Sequence, residues 1–242
     1  MKRIDGRSNL DIRDTKFTIG YQPFAEGSVL VEMGDTKVIC SASIEEKVPG
    51  WLRGANKGWV TAEYSMLPRS TLSRTNRESR GGSVKGRYQE IQRLIGRSIR
   101  AITDLNGLGS RTVVIDCDVL QADGGTRTAA INGSFVALYQ AVYSLVSKGV
   151  LPRVPILGAV GAVSVGLVDN ELLLDICYEE DFRAQVDFNI AMTEEGKMVE
   201  LQASAEGEVF NKNLIKEAVD CAESGIREII KIQQACIKSI TN

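Results

Sequence analysis

Asp123-Gly124-Gly125-Thr126-Arg127-Thr128 joins an apolar, strand-like run, Val113 to Leu120, to a long helix-like run, Ala129 to Val146. The two glycines let the backbone turn at little steric cost, and the N–H groups that open a helix attract an anion. Thr126 and Arg127 add side-chain donors, so the stretch reads as a phosphate cradle; a tight turn before a capped helix is the plainer alternative. The chain contains no histidine, which removes imidazole acid–base catalysis, Ser-His-Asp and Cys-His nucleophiles, and His-ligated zinc. Carboxylates, cations, backbone donors or a metal must then carry any catalysis. Phosphoryl chemistry suits that set, because positioning and charge neutralisation do most of its work.

A second group of candidates spans Tyr178 to Asp187, with Glu179, Glu180, Asp181 and Asp187 between two strand-like segments. Carboxylates on a turn and at the start of the next strand can converge on magnesium, a hard cation that takes oxygen ligands and keeps waters. Asp181 and Asp187 are the preferred pair, with an exposed polar turn as the alternative; Asp116 and Asp118, on one face of their strand, are weaker candidates. The net charge is −2, yet Arg69 to Arg100 holds nine basic residues against Glu78 and Glu90, so this block carries +7 and the rest −9. Such a block draws in a polyanion.

These groups need a framework. With 242 residues, 43% of them hydrophobic, the chain can bury one large core or two small ones. Alternation at Val29-Val31-Met33, Val38-Cys40-Ala42 and Trp59-Thr61-Glu63 predicts three strands, and Pro68 to Gly86 reads as a long loop. Ile91, Leu94, Ile95, Ile99 and Ile102 form one apolar helical face, leaving Arg93, Arg97 and Arg100 opposite, either solvated or touching RNA. After Pro152 and Pro155 come strand-like Ile156–Val168, Leu172–Cys177, Val186–Ala191 and Met198–Ala203, then a helix from about Asn211 to Ile240. Both halves, residues 1–150 and 151–242, run strands first and helix last without a convincing sequence repeat, and the split mixture of antiparallel strands and packed helices argues an α+β fold rather than a regular βαβ array. The charged start and the short, Gly-interrupted apolar stretch Pro155 to Val168 predict a soluble chain with no membrane partner. Five widely spaced cysteines suggest packed thiols in a reducing cytoplasm.

Met66-Leu67-Pro68-Arg69-Ser70-Thr71, Glu90 to Arg97, Asp116 to Thr128 and Asp175 to Asp181 together closely resemble the ribonuclease PH family. Ala25 to Val31, Gly34 to Val38 and Gly58 to Tyr64 extend the likeness over nearly the whole chain. The resemblance implies two halves like domain 2 of ribosomal protein S5, and a phosphorolytic 3′-to-5′ exoribonuclease, a nucleotidyltransferase that trims transfer-RNA precursors and other RNA 3′ ends. It further implies inorganic phosphate as co-substrate, held by Arg87, Gly125, Thr126 and Arg127, and magnesium held by Asp181 and Asp187. Arg69, Arg74 and Arg77 match basic positions associated with RNA binding and ring assembly, and the implied assembly is a homohexamer, a trimer of dimers, with no DNA partner.

Two positions depart from the family pattern: Tyr88 stands where many relatives have a small hydroxyl residue, and Arg13-Asp14-Thr15 replaces an Arg-Pro-aliphatic run. Neither is expected to touch the cradle or the carboxylate pair. With Tyr88 the only aromatic inside the basic block, phosphate contacts should outweigh base stacking. A noncatalytic ring subunit and a small-molecule kinase on an S5-like scaffold are the rival readings. Joint retention of Arg87, Arg127, Asp181 and Asp187 speaks against the first, and nucleotide triphosphate binding without RNA would favour the second.

Overall fold

The computed structural model describes residues 3–77, 86–205 and 209–241. Among them β1 (Thr15–Ile19), β2 (Gly27–Met33), β3 (Thr36–Glu45), β4 (Trp59–Met66) and β5 (Thr112–Gln121) form a sheet ordered β1-β2-β3-β5-β4. A second, antiparallel sheet, ordered β7-β6-β8-β9, contains β6 (Val160–Val168), β7 (Glu171–Leu174), β8 (Val186–Thr193) and β9 (Met198–Ala205). The helices are α1 (Gly86–Ala101), α2 (Thr126–Ser147), α3 (Tyr178–Arg183) and α4 (Asn213–Thr241). The α+β expectation holds.

The first half is less simple than strands followed by a helix. α1 lies between β4 and β5 in sequence, and β4 pairs parallel to β5, Trp59 opposite Thr112 through Met66 opposite Val119. A parallel neighbour requires a crossover, which α1 supplies. The expected strand from Ile156 starts only at Val160, because the stretch before it pairs instead with the residues just past the end of α1: Ile156 bridges Thr103 and the Leu157 N–H donates to Ile102 O. The expected strand from Leu172 stops at Leu174, because Asp175 takes a left-handed φ of 50°. Tyr178 to Arg183, expected as an acidic turn, is a short helix, and its Glu180 is buried rather than exposed. Glu180 Oε2 accepts the Cys177 N–H and Arg3 Nη2, which anchors the helix to the N-terminal segment.

α2 is apolar enough for its length to cross a membrane, but most of that surface is packed between the two sheets. It buries Ile131, Phe135, Val136, Leu138 and Val142, each worth about 1.5–3 kcal/mol on burial. At Gly133 an added Cβ would lie 2.4 Å from Val31 and 2.6 Å from Cys40, so the absence of a side chain sets how closely helix and sheet approach. On the other side, Asn132 Nδ2 donates to Ala162 O at 2.9 Å and its Oδ1 accepts the Ala162 N–H at 2.8 Å, fixing α2 against β6. One hydrophobic cluster therefore runs from Val29 in β2 through α2 to Ile230 in α4, across both halves. All five cysteines are free thiols, buried or half-buried.

Candidate active site

The strand-to-helix turn between β5 and α2 opens onto a cleft of about 450 Å³. Gly124 and Gly125 take φ of 73° and 63°, and Gly125 caps α2 without a side-chain hydrogen bond to the first-turn N–H groups. Two successive left-handed residues followed by a helix form a concave row of amide donors, the geometry that suits an oxyanion. The carbonyls are turned away from that row. Arg13 donates to Asp123 O through Nη1 and to Gly124 O through Nη2, and Thr36 Oγ1 donates to Gly124 O at 2.6 Å while accepting the Asp123 N–H at 2.9 Å.

Arg13 is itself locked by the buried Asp175, with Nη2 to Oδ1 at 2.7 Å and Nε to Oδ2 at 3.0 Å. Burial pushes the Asp175 carboxyl up, but the Arg13 charge and hydrogen bonds outweigh it and hold the group below the usual aspartate value. Arg13, the residue this run shares with the Arg-Pro-aliphatic pattern, thus buttresses the cradle from behind.

Tyr88 is also in the site, on the cleft wall, with its ring 5.7 Å from that of Tyr64. The Tyr64 hydroxyl donates to Thr126 Oγ1 at 2.8 Å, which leaves the Thr126 proton to point at a ligand. Burial pushes the Tyr64 phenol up to about 12, so it stays a donor at neutral pH.

The structure brings Arg87, Gly125, Thr126, Arg127, Asp181 and Asp187 to this single cleft. Arg87 sits in the first turn of α1, Arg127 in the first turn of α2, Asp181 on α3 and Asp187 at the start of β8. Arg127 Nη1 donates to Gln202 Oε1 at 3.0 Å, and Asn189 Nδ2 donates to Asp187 Oδ2 at 3.0 Å. Burial pushes the Asp187 carboxyl above the ordinary aspartate range and the Asp181 charge pushes the same way, while Arg127, Asn189 and Arg87 only partly offset them. The Ser164 hydroxyl, on the cleft floor, is buried without a partner among the described residues.

Other candidates lie elsewhere. Arg69, Arg74 and Arg77 are exposed on the segment after β4, which turns Thr71, Leu72, Ser73 and Thr75 to the cleft instead. Glu78, Arg80 and Lys85 lie outside the described residues. On α1, Arg97 pairs with Glu200 at 2.8 Å, and Arg100 donates to Val60 O at 2.8 Å with its guanidinium 4.4 Å from the Trp59 ring centre, so both have structural partners. Asp116 and Asp118 do not line the cleft; burial raises both carboxyls. No group of three or more acids or cysteines placed to hold a metal occurs among the described residues.

Models of the 3′ exoribonuclease family match the chain twice, domain 1 over residues 11–143 and domain 2 over residues 158–225, and the chain belongs to that family. Within it the similarity is to ribonuclease PH. Proteins of that name from two strains of Dehalococcoides mccartyi are each 51% identical over 234 and 235 residues, covering 97% of this chain and 97% and 98% of theirs. The fold is shared with rice Rrp46 at a TM-score of 0.77 and 16% identity, covering 97% of this chain and 100% of that one. It is shared as well with a chain of the Archaeoglobus fulgidus exosome with RNA bound to its active site, at 0.80 and 23%, covering 94% and 91%. The α+β architecture is consistent with the S5 domain 2-like fold.

Proposed function

We propose that this phosphorolytic 3′ exoribonuclease takes inorganic phosphate at the Gly124-Gly125 turn and uses it to remove the last nucleotide of an RNA as a nucleoside diphosphate. The observation that carries the assignment is the convergence of two arginines, an uncapped helix start and two carboxylates on one cleft. Arg87, Arg127 and the first N–H groups of α2 attract and orient the phosphate dianion, and the Thr126 proton fixes one of its oxygens. So held, a phosphate oxygen lies in line with the terminal phosphodiester. Attack forms one P–O bond as the bond to the 3′ oxygen of the penultimate residue breaks. The bond made resembles the bond broken, so excess nucleoside diphosphate drives 3′ extension.

A divalent cation fits the other wall. Asp187 is raised by burial and by the charge of Asp181, the sign of two acids close together on a partly buried wall, which suits an added cation. Two carboxylates do not make an all-protein cage, but magnesium characteristically takes one or two and completes its shell with water and phosphate oxygens. Asp181 and Asp187 would hold it, and it would supply positive charge to oxygens that become more negative during transfer. Arg69, Arg74 and Arg77 track the RNA backbone or contribute to a hexamer built as a trimer of dimers. The substrates in this reading are transfer-RNA precursors and other single-stranded 3′ ends, and five free thiols suit a reducing cytoplasm.

Arg127→Ala tests the assignment. Loss of charge-assisted hydrogen bonds worth about 1.5–3 kcal/mol raises the phosphate KM roughly 10- to 100-fold, with little change in RNA KM. An unchanged phosphate KM would remove Arg127 from the phosphate site.

A further inference from the structure

Gln202 has no role in the cradle or the carboxylate pair, yet its side chain joins the elements that carry them. Its Oε1 accepts from Arg127 Nη1 at 3.0 Å and its Nε2 donates to Glu90 Oε1 at 2.9 Å. A guanidinium offers only donors and an ionised carboxylate only acceptors, so the amide has one possible orientation. The chain Glu90–Gln202–Arg127 therefore links α1, β9 and α2, and Glu90 stands one helical turn beyond Arg87 on α1. The Arg97–Glu200 ion pair ties α1 to β9 a second time, two residues away on the same strand face. In the β8–β9 register Gln202 is opposite Asn189, the residue that donates to Asp187. One cross-strand pair thus supports the proposed phosphate arginine on one side and the proposed metal carboxylate on the other.

We propose that Gln202 is a positioning residue for phosphate, bracing Arg127 while keeping the Glu90 carboxylate from pairing with it. The inference rests on the reading that Arg127 binds phosphate. A neutral amide is the group this place requires: it satisfies the guanidinium on one side and the acid on the other without cancelling the positive charge that faces the cleft. Without it, Arg127 loses its orientation and Glu90 becomes free to neutralise it.

Steady-state kinetics on the assembled enzyme test this. Gln202→Ala raises the phosphate KM about tenfold, the scale of one lost hydrogen bond to a charged group, with kcat at saturating phosphate and RNA KM within about twofold. The nucleoside diphosphate KM of the reverse reaction rises in parallel, since its terminal phosphate occupies the same cradle. Adding Glu90→Gln to Gln202→Ala recovers part of the phosphate affinity, the share lost to neutralisation of Arg127, a rescue that a merely structural strand contact would not give. If Gln202→Ala is not obtained folded, Gln202→Asn, polar but too short to reach both partners, carries the same expectations. An unchanged phosphate KM, an equal rise in RNA KM, or no rescue by Glu90→Gln overturns the proposal. Arg127→Ala, run alongside, separates the failures: if it leaves the phosphate KM unchanged, the phosphate reading falls and this inference with it. If only Arg127→Ala raises that KM, the inference alone falls.

Discussion

Gly124 and Gly149 have nearly the same backbone conformation, φ of 73° and 72°, in opposite surroundings. A Cβ at Gly149 would meet nothing within 4 Å, whereas at Gly124 it would lie 2.6 Å from Ile176 O, 2.8 Å from Cys177 C and 3.0 Å from Tyr178 N. Alanine at either position pays the left-handed cost of about 1–2 kcal/mol. At Gly124 it must also push back main chain, an overpacking cost of about 1–3 kcal/mol. At about 2–4 °C per kcal/mol for a domain of this size, Gly149→Ala lowers the thermal midpoint by roughly 2–8 °C and Gly124→Ala by a further 2–12 °C. The displaced segment leads into α3, which carries Asp181, so Gly124→Ala also loses phosphorolytic activity at a temperature where both variants are folded. Circular dichroism melts and a phosphate titration of RNA shortening measure both effects. Equal midpoints for the two variants, or full activity in Gly124→Ala, would refute the claim that the turn is packed to hold the cleft's shape.

Alanine at Arg74 or Arg77 should weaken RNA binding and reduce its salt dependence by about one counterion per lost phosphate contact, leaving phosphate KM alone; filter binding across a salt series measures this. Asp187→Asn should lower turnover by at least about 100-fold without lowering the thermal midpoint. Its raised carboxyl is the sign of a charge the fold disfavours above the ordinary aspartate value, so removing that charge relieves a cost at neutral pH; a lower midpoint would contradict this. Asp175 has the opposite sign: its carboxyl is depressed, so its contribution is complete above the usual value of 3.8 and is lost as pH falls through the lower folded value. Asp175→Asn, which strands Arg13, should cost about 3–5 kcal/mol at neutral pH and flatten the acid fall in thermal midpoint seen in the unaltered protein.

Periodicity made β2, β3, β4, β5 and the three long helices legible, because each turns one face, or nearly its whole surface, to the core. β1 carries little such signal: only Phe17 and Ile19 pack on the core, and its place depends on pairing with β2 and on α4, whose helix starts almost two hundred residues later. The cradle shows itself through local backbone chemistry, two glycines before a helix, and Asp181 and Asp187 through their place between two strand-like segments and then through resemblance. Their supports were silent. Arg13, Asp175 and Gln202 carry no spacing signal, since each acts through a partner far away in sequence, and Asn189 is an ordinary strand residue until its neighbour Asp187 is known to face the cleft. The mistaken reading of Glu180 as an exposed turn residue has the same origin, because its partner Arg3 is 177 residues away.

The central claim is that phosphate, held at Gly124-Gly125, replaces water as the attacking group. Chromatography of the products from a transfer-RNA precursor with extra 3′ residues, incubated with and without inorganic phosphate, tests it most directly. Nucleoside diphosphates released only when phosphate is present are the predicted result. Nucleoside monophosphates, or equal shortening in the absence of phosphate, would contradict it.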